Sequence, residues 1–204
     1  MNSNPKLKGQ SALVTGANSG IGMAIAIALG NEGAAVVVNY ISHVEDAGKV
    51  VKQIENNGGS AIAIEADVSK EDQVQSMFRQ MYAKYGTIDI LVNNAGIQRD
   101  SPLEDMSLTD WQMVIDVNLT GQFLCAREAV KEFLKRGIIG ERSSSAGKII
   151  CISSVHQVIP WSGHVNYASS KGGVEMMMKR HGPGICPEKN KDKFDRAGRH
   201  KNTH

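Results

Sequence analysis

The sequence is poor in cysteine and in long apolar runs, and each shortage excludes a class of protein. Its cysteines, Cys125, Cys151 and Cys186, have no CxxC spacing, which argues against a disulfide framework and against a zinc site. No apolar run reaches the roughly 18 residues that span a bilayer, and the polar start MNSNPKLKGQ contains no signal-peptide stretch. We therefore expect a cytoplasmic protein with no metal site and no membrane contact.

An excess of charge of one sign is also missing. The formal net charge of +2 gives no electrostatic reason to expect nucleic acid as a partner, and most of the basic excess lies near the C-terminal end. With 41% apolar and 22% charged residues, the chain can bury a core as a single domain.

Short apolar runs alternate with segments of helical periodicity along most of the chain. The runs 10–15, 34–40, 60–66, 89–93 and 147–152 predict buried strands, and the segments between them predict helices, including one that Ser69 caps. A final helix is predicted from about Val165 to about Arg180. This alternation is typical of a doubly wound parallel sheet, so the predicted class is α/β with a Rossmann-like fold.

The turn after the first predicted strand is rich in glycine. Gly16, Gly20 and Gly22 would let the backbone turn sharply and approach a pyrophosphate, whose charge the N-terminus of the next helix would meet. Glycine also marks turns that are merely structural. The position between a strand and a helix favours a dinucleotide site.

Several further motifs follow this turn in a fixed order. They are Asp67-Val68, Asn93-Asn94-Ala95-Gly96, Asn118, Ser154 and the segment Tyr167-Ala168-Ser169-Ser170-Lys171. Together with the GxxxGxG spacing of the turn, they resemble the short-chain dehydrogenase/reductase family from about residue 7 to about residue 180. The resemblance implies an NAD(P)-dependent oxidoreductase that acts on a small-molecule alcohol or carbonyl compound, and a homotetramer for the intact protein.

By this resemblance, Asp67 and Val68 would hold the adenine ring, residues 93–96 would line the adenosine ribose side, and Ile21 would lie against the cofactor. The cofactor-binding residues that we expect are Gly16, Asn18, Ser19, Gly20, Ile21, Gly22, Asn39, Tyr40, Asp67, Val68, Asn93, Ala95, Gly96, Tyr167 and Lys171.

The end of the second predicted strand normally separates NAD from NADP. The segment from Asn39 and Tyr40 to His43 contains neither the carboxylate that accepts from a ribose hydroxyl nor the Arg or Lys that binds a 2′-phosphate. We therefore expect NADP or use of both cofactors, with NAD alone as the alternative. His43 is either a weak phosphate partner or a solvated loop histidine.

Tyr167 and Lys171 are four residues apart on a predicted helix and project from one face. A phenol has a pKa of about 10, and an adjacent ammonium would lower it toward a value useful for proton transfer. Ser154 would polarise the substrate oxygen, while Asn118 would hold a water that links Lys171 to solvent. Each residue also has an ordinary role: a surface contact, a helix cap or a backbone partner. A hydrolytic triad of Ser154 with Asp116 and His156 or His164 is disfavoured because Ser154 lacks a GxSxG elbow.

The segment 153–173 resembles the glucose 1-dehydrogenase branch of the family. This implies oxidation of a sugar hydroxyl, with Ser154, His156, Gln157, Tyr167 and Trp161 near the sugar. Polar groups beside an aromatic face suit a carbohydrate, although the same loop could instead pack on a neighbouring subunit. A 3-oxoacyl carrier-protein reductase is the alternative with the same motifs.

Apolar periodicity stops after Arg180, and residues 181–204 read as a basic, coil-like tail. We expect residues 1–180 to form an incomplete dinucleotide-binding catalytic domain that lacks the last strands of the family fold, followed by a non-native, disordered tail. Our hypothesis is a frameshift near His181, because permitted codons read in another frame can spell a helix end and a strand of the family type. Activity would then be weak or absent, which leaves an inactive nucleotide-binding remnant as an alternative.

Overall fold

The computed structural model describes residues 5–159 and 161–184. Its strands are β1 (Ser11–Val14), β2 (Ala35–Tyr40), β3 (Ser60–Glu65), β4 (Ile90–Asn93) and β5 (Lys148–Cys151). The α-helices are α1 (Gly20–Asn31), α2 (Val44–Asn56), α3 (Glu71–Tyr85), α4 (Leu108–Ile115), α5 (Gly121–Arg136) and α6 (Val165–Gly184). A π-helical turn (Asp116–Thr120) joins α4 to α5, and short 3-10 turns cover Leu103–Asp105 and Val155–Gln157.

All strand pairs among the described residues are parallel, and the sheet order is β3-β2-β1-β4-β5. The order reverses between β1 and β4, because the chain leaves β3 at one edge and returns beside β1. Ligands of such sheets bind at the carboxyl ends of the strands next to this reversal. The prediction of a doubly wound, Rossmann-like α/β fold is confirmed.

Side chains alternate across the sheet and build one apolar core on each face. Leu13 and Leu91 pack on one face with residues of α3 and α5, including Phe78. Val14 and Val92, one residue further along each strand, pack on the other face with residues of α1 and α2. Both faces of the sheet are thus covered at β1, β2 and β4, which explains why these strands are apolar runs rather than alternating ones, whereas the edge strands β3 and β5 also carry exposed residues.

Two details differ from the sequence-based expectations. The N-cap of α3 is Lys70, and the backbone N–H of Ser69 instead donates to Asp67 Oδ1 at 2.9 Å. Helix α6 runs to Gly184, four residues into the segment expected to be coil. Residues 185–204, which make up most of the predicted tail, lie outside the described residues. The division at residue 180 and the expected lack of the last strands therefore stay predictions.

In the part of the chain that the structure describes, no helix combines the length and the apolar character required to cross a membrane.

Candidate functional site

The glycine-rich turn lies at the carboxyl end of β1, beside the reversal of strand order. Gly16 and Gly20 have φ angles of 59° and 54°, a region that favours glycine. A Cβ on Gly22 would lie 2.4 Å from the carbonyl oxygen of Gly16 and 2.5 Å from Asn94 Nδ2. The backbone of the turn is therefore packed closely at Gly22, whereas Gly20 is exposed and a Cβ there would have no neighbour within 4 Å.

The side chain of Asn39 stabilises this turn through hydrogen bonds. Its Oδ1 accepts from the Gly16 N–H at 3.1 Å, and its Nδ2 donates to the carbonyl oxygen of Ala66 at 3.0 Å. The residue is 1% exposed. The Asn39 side chain is therefore committed to hydrogen bonds within the fold, and the expected role of Asn39 in cofactor binding stays a prediction.

Thr15 and Asn94 hold the turn against the end of β4, a structural role that the sequence did not predict for either residue. Thr15 Oγ1 accepts from the N–H groups of Asn94 at 2.9 Å and Ala95 at 3.0 Å, and Asn94 Nδ2 donates back to the carbonyl oxygens of Thr15 and Gly16. Asn93 points the other way: it is 1% exposed and donates to the carbonyl oxygen of Gln122 at 3.1 Å. The side chain of Asn93 thus supports the fold, and the expected role of residues 93–96 at the adenosine ribose stays a prediction.

Two other expected cofactor residues also have buried side chains. Tyr40 packs in the core next to α1 and α2, and Val68 packs in the opposite core against Gly121, where an added Cβ would lie 2.8 Å from Val68 Cγ2. Asp67 is half-buried, and its Oδ1 already accepts from the N–H of Ser69. These positions can meet an adenine only through their backbone or through the remaining carboxylate oxygen.

The expected residues that do face outward surround the glycine turn. Ser19, Gly20 and Gly96 are exposed, and Ile21 is 64% exposed although it is apolar. Asn18 Nδ2 donates to the carbonyl oxygen of Ser42 and so joins the turn to the loop after β2. A flat ring of a cofactor could cover the exposed side chain of Ile21 and the glycine backbone beside it.

The N-terminus of α1 fits the phosphates of a dinucleotide. Its N-cap Ser19 makes no side-chain hydrogen bond, and the first turn contains no acidic residue. The first N–H groups of the helix are therefore open to an external acceptor, and the helix dipole favours an anion there.

Lys171 and Tyr167 lie on α6 beside the end of β5. Lys171 is 4% exposed, its Nζ donates to the carbonyl oxygen of Ile152 at 2.8 Å, and it lies 5.5 Å from the centre of the Tyr167 ring. Burial lowers the pKa of Lys171 from its ordinary value. The predicted pair is thus brought together, with the ammonium held by one backbone carbonyl.

Asn118 is fully buried in the π-helical turn. Its Oδ1 accepts from the Ile97 N–H at 2.8 Å, and its Nδ2 donates to the Ile97 carbonyl at 2.9 Å and to Ser170 Oγ at 3.2 Å. Ser170 Oγ in turn donates to the carbonyl oxygen of Tyr167. Both hydrogens of the Asn118 amide therefore have protein acceptors, so its side chain holds α6 in place, and the expected water at Asn118 stays a prediction.

Ser154 lies where β5 gives way to the 3-10 turn Val155–Gln157, and this turn contacts α6. Its Oγ accepts from the N–H of His156 at 3.2 Å. This is the capping role that the sequence left open. The bond uses only a lone pair, so the hydroxyl hydrogen can still be donated to a substrate oxygen.

The loop between Ser154 and α6 carries a stack of rings. His156 and Trp161 lie 4.5 Å apart between ring centres, and Trp161 stacks on His164 at 3.6 Å. Gln157 accepts a hydrogen bond from Ser153 Oγ. Pro160 lies outside the described residues. The expected substrate residues are thus gathered in one loop beside Tyr167.

Asn166 connects this region to the loop after β4. It is fully buried, its Nδ2 donates to the carbonyl oxygen of Arg99 at 2.8 Å, and its Oδ1 accepts from the Tyr167 N–H at 2.7 Å. Nearby, the N–H of Ser101 donates to the carbonyl oxygen of Gly163. Sequence reasoning missed these contacts because nothing in the local pattern pairs the two loops.

A cavity of about 300 Å³ lies at the opposite, amino-terminal edge of the sheet. Gln10, Ser60 and Tyr85 line it, and it contains none of the expected site residues. The expected catalytic and cofactor-binding residues lie instead at the carboxyl edge of the sheet, where ligands of such folds bind.

Comparison with known proteins gives consistent matches. Residues 10–183 match the family model described as short chain dehydrogenase. The chain is 46% identical over 173 residues to a 3beta-hydroxysteroid dehydrogenase 1 of Eggerthella lenta, and 45% identical over 172 residues to glucose 1-dehydrogenase 2 of Bacillus subtilis. These matches cover 85% and 84% of this chain but 64% of each relative, so the chain spans about two thirds of their length.

Solved structures match in the same way. A short-chain type dehydrogenase/reductase from Mycobacterium marinum is 36% identical with a TM-score of 0.79, and the match covers 86% of this chain and 66% of that one. A dehydrogenase/reductase from Sinorhizobium meliloti is 36% identical with a TM-score of 0.76, over 85% and 66% of the two chains.

Proposed function

The chain belongs to the short chain dehydrogenase family, and on this premise we propose that it is an NAD(P)-dependent oxidoreductase that interconverts an alcohol and a carbonyl compound. The observation that carries the proposal is the buried ammonium of Lys171 beside the Tyr167 ring, on a helix that contacts the turn holding Ser154. A buried lysine is costly and needs a reason to be retained.

The dinucleotide would lie on the glycine turn, with its phosphates at the open N-terminus of α1 and a ring against Ile21. When bound, the nicotinamide supplies or accepts the hydride. Gly16 and Gly22 permit the close approach, while Asn39 and Asn94 hold the turn in shape from the protein side. We propose NADP or dual use, because Ile41, Ser42 and His43, the exposed residues of the loop after β2, include no carboxylate.

The protein groups divide the remaining work between them. Ser154 Oγ donates a hydrogen bond to the substrate oxygen and orients it. Tyr167 moves the proton between its hydroxyl and that oxygen, and the ammonium of Lys171 stabilises the phenolate form that this transfer requires. Asn118 and Ser170 keep the first turn of α6, and with it the Tyr167 backbone, in a fixed position.

We propose a sugar such as glucose as the substrate. The ring stack of His156, Trp161 and His164 presents an aromatic surface with polar edges, which suits a carbohydrate. The similarity to glucose 1-dehydrogenase 2 supports this choice. A second candidate substrate is a larger cyclic secondary alcohol. The relative named for a 3beta-hydroxysteroid supports it, because this chain is 46% identical to that relative. A 3-oxoacyl carrier-protein reductase activity remains the alternative that the motifs alone allow.

The test is a substrate panel with the purified chain and both cofactors. Glucose, a 3β-hydroxysteroid and a 3-oxoacyl thioester would each be incubated with NAD and NADP, or with their reduced forms, and nicotinamide absorbance followed. Glucose-dependent reduction of NADP is the expected result. We also expect the rate to be low, because the chain spans about two thirds of its relatives. Enhanced NADPH fluorescence without turnover would instead indicate a nucleotide-binding remnant.

For the intact protein we propose a homotetramer in the cytoplasm, without nucleic acid or metal as a partner. Sedimentation of the purified chain, alone and with NADPH, tests the assembly.

A further inference from the structure

His164 occupies the position just before α6 and makes contacts on both edges of its ring. Nδ1 lies 2.7 Å from the carbonyl oxygen of Ser162, and Nε2 lies 3.3 Å from Oδ2 of Asp100. The residue is 9% exposed, whereas the Asp100 side chain is 52% exposed. The His164 ring therefore lies between two hydrogen-bond acceptors, one on each edge.

The face of the same ring is used as well. Trp161 stacks on His164 with 3.6 Å between ring centres and 9° between the planes. Trp161 is 50% exposed and lies in a loop without regular structure, where neighbouring apolar residues such as Val158 and Ile159 are also exposed. An indole in such a place would sample several rotamers unless a neighbour held it. His164 is the neighbour with the closest parallel ring.

We propose that His164 and Asp100 are positioning residues that fix the Trp161 ring as a wall of the substrate site. Asp100 orients the His164 ring, and His164 holds the indole by stacking, so that the wall selects substrates with a flat or cyclic apolar face. The proposal deepens the proposed oxidoreductase function and, for substrate selection, rests on it.

The position of these residues in the chain supports this role. Trp161 lies between Ser154 and Tyr167 in sequence, and the carbonyl of His164 accepts the helical hydrogen bond of Ala168. Asp100 lies in the loop that begins beside the glycine turn at Asn94 and Ala95. The pair therefore joins the segment beside the cofactor site to the wall of the substrate site.

The first test measures the motion of Trp161 in the 204-residue chain. Trp111→Phe leaves Trp161 as the single tryptophan, and time-resolved fluorescence anisotropy then reports its fast motion on the picosecond to nanosecond scale. We expect Asp100→Asn and His164→Gln each to raise the amplitude of fast depolarisation at least twofold in this background. Asp105→Asn, the same change at an exposed residue nearby, should leave the amplitude unchanged.

His164→Phe separates stacking from hydrogen bonding, because phenylalanine keeps a ring but makes neither polar contact. Fast motion intermediate between the parent and His164→Gln is expected. Unchanged anisotropy in both Asp100→Asn and His164→Gln, with parental far-ultraviolet circular dichroism, overturns the proposal. If a His164 variant fails to fold, Asp100→Asn still decides, because the Asp100 side chain is 52% exposed and its replacement removes no buried side chain.

The second test uses whichever cyclic substrate the panel identifies. Asp100→Asn should raise KM at least fivefold while kcat changes less than twofold, because the wall binds substrate without taking part in proton transfer. An equal loss in kcat with KM unchanged contradicts the assigned role. If no substrate turns over, the oxidoreductase proposal fails, while the anisotropy result still accepts or rejects the positioning of Trp161.

Discussion

The ammonium nitrogen of Lys171 lies 5.5 Å from the centre of the Tyr167 ring, and both residues come from one turn of α6. Asn118 fixes that turn through Ser170, and the Ile152 carbonyl anchors the ammonium. Two other elements, the π-helical turn and the segment after β5, thus converge on the part of α6 that carries Tyr167 and Lys171. This convergence makes proton transfer at the Tyr167 hydroxyl the most direct part of the proposal to test.

Tyr167→Phe removes the hydroxyl and keeps the ring. We expect any turnover that the chain shows to fall by about 10²- to 10⁴-fold, the usual contribution of a general acid or base. NADPH binding, followed by fluorescence, should change less than twofold because phenylalanine keeps the ring beside Lys171.

Tyr85→Phe is the matched control for this variant. Tyr85 is half-buried at the amino-terminal edge of the sheet, where its hydroxyl lies 3.4 Å from Ser60 Oγ. It should retain parental turnover. Equal losses in the two variants would show that Tyr167 acts through stability alone.

The lowered pKa of Lys171 predicts a dependence of stability on pH. Burial depresses the folded-state pKa below the ordinary value of 10.5, so between these two pKa values the unfolded chain binds more protons than the folded chain. The free energy of unfolding of the parent, relative to Lys171→Met, should therefore rise as pH increases through this window. Below the folded-state pKa the difference should not depend on pH.

Urea denaturation of both proteins at several pH values from neutral to about 10 measures this difference. A relative stability that falls with rising pH would show that an unrecognised anion, rather than burial, dominates the surroundings of Lys171.

The sequence was sufficient to predict the sheet, the glycine turn and the Tyr167–Lys171 pair, because strand periodicity and helical spacing are local properties. It did not predict the hydrogen-bond partners of the Asn39 side chain. The partners of that side chain, Gly16 and Ala66, lie 23 and 27 residues away in sequence, and only the pairing of β2 with β1 and β3 brings them together. The sequence pattern does not distinguish a buried asparagine from an exposed one at the end of an apolar run.

Substitution of Gly22 tests whether the glycine turn binds the cofactor. In Gly22→Ala the new Cβ would lie 2.4 Å from the Gly16 carbonyl oxygen, so the turn must move. We expect NADPH affinity to fall at least tenfold and the free energy of unfolding to fall by about 1–3 kcal/mol, as for other overpacked sites.

Gly48→Ala is its control in α2, where a Cβ would have no neighbour within 4 Å. This variant should gain about 0.5–1 kcal/mol of stability, since alanine favours a helix over glycine, and should bind NADPH as the parent does. Normal NADPH binding by Gly22→Ala would remove the glycine turn from the cofactor site.

The loop after β2 offers a test of cofactor choice that separates fold from function. Asn39→Asp replaces a buried amide donor by an acceptor next to the carbonyl oxygens of Ile64 and Ala66, and should cost about 1–3 kcal/mol of stability without favouring NAD. Ser42→Asp instead places a carboxylate at the exposed end of the same loop, where Asn18 already holds the Ser42 carbonyl.

Because a carboxylate repels a 2′-phosphate and accepts from a ribose hydroxyl, Ser42→Asp should shift the ratio of NADPH to NADH dissociation constants at least tenfold toward NADH. Fluorescence titration with each reduced cofactor measures both constants, and urea denaturation confirms that Ser42→Asp is as stable as the parent. If Asn39→Asp changes the ratio and Ser42→Asp does not, the ribose lies against β2 itself, and the assignment of the Asn39 side chain to the fold is wrong.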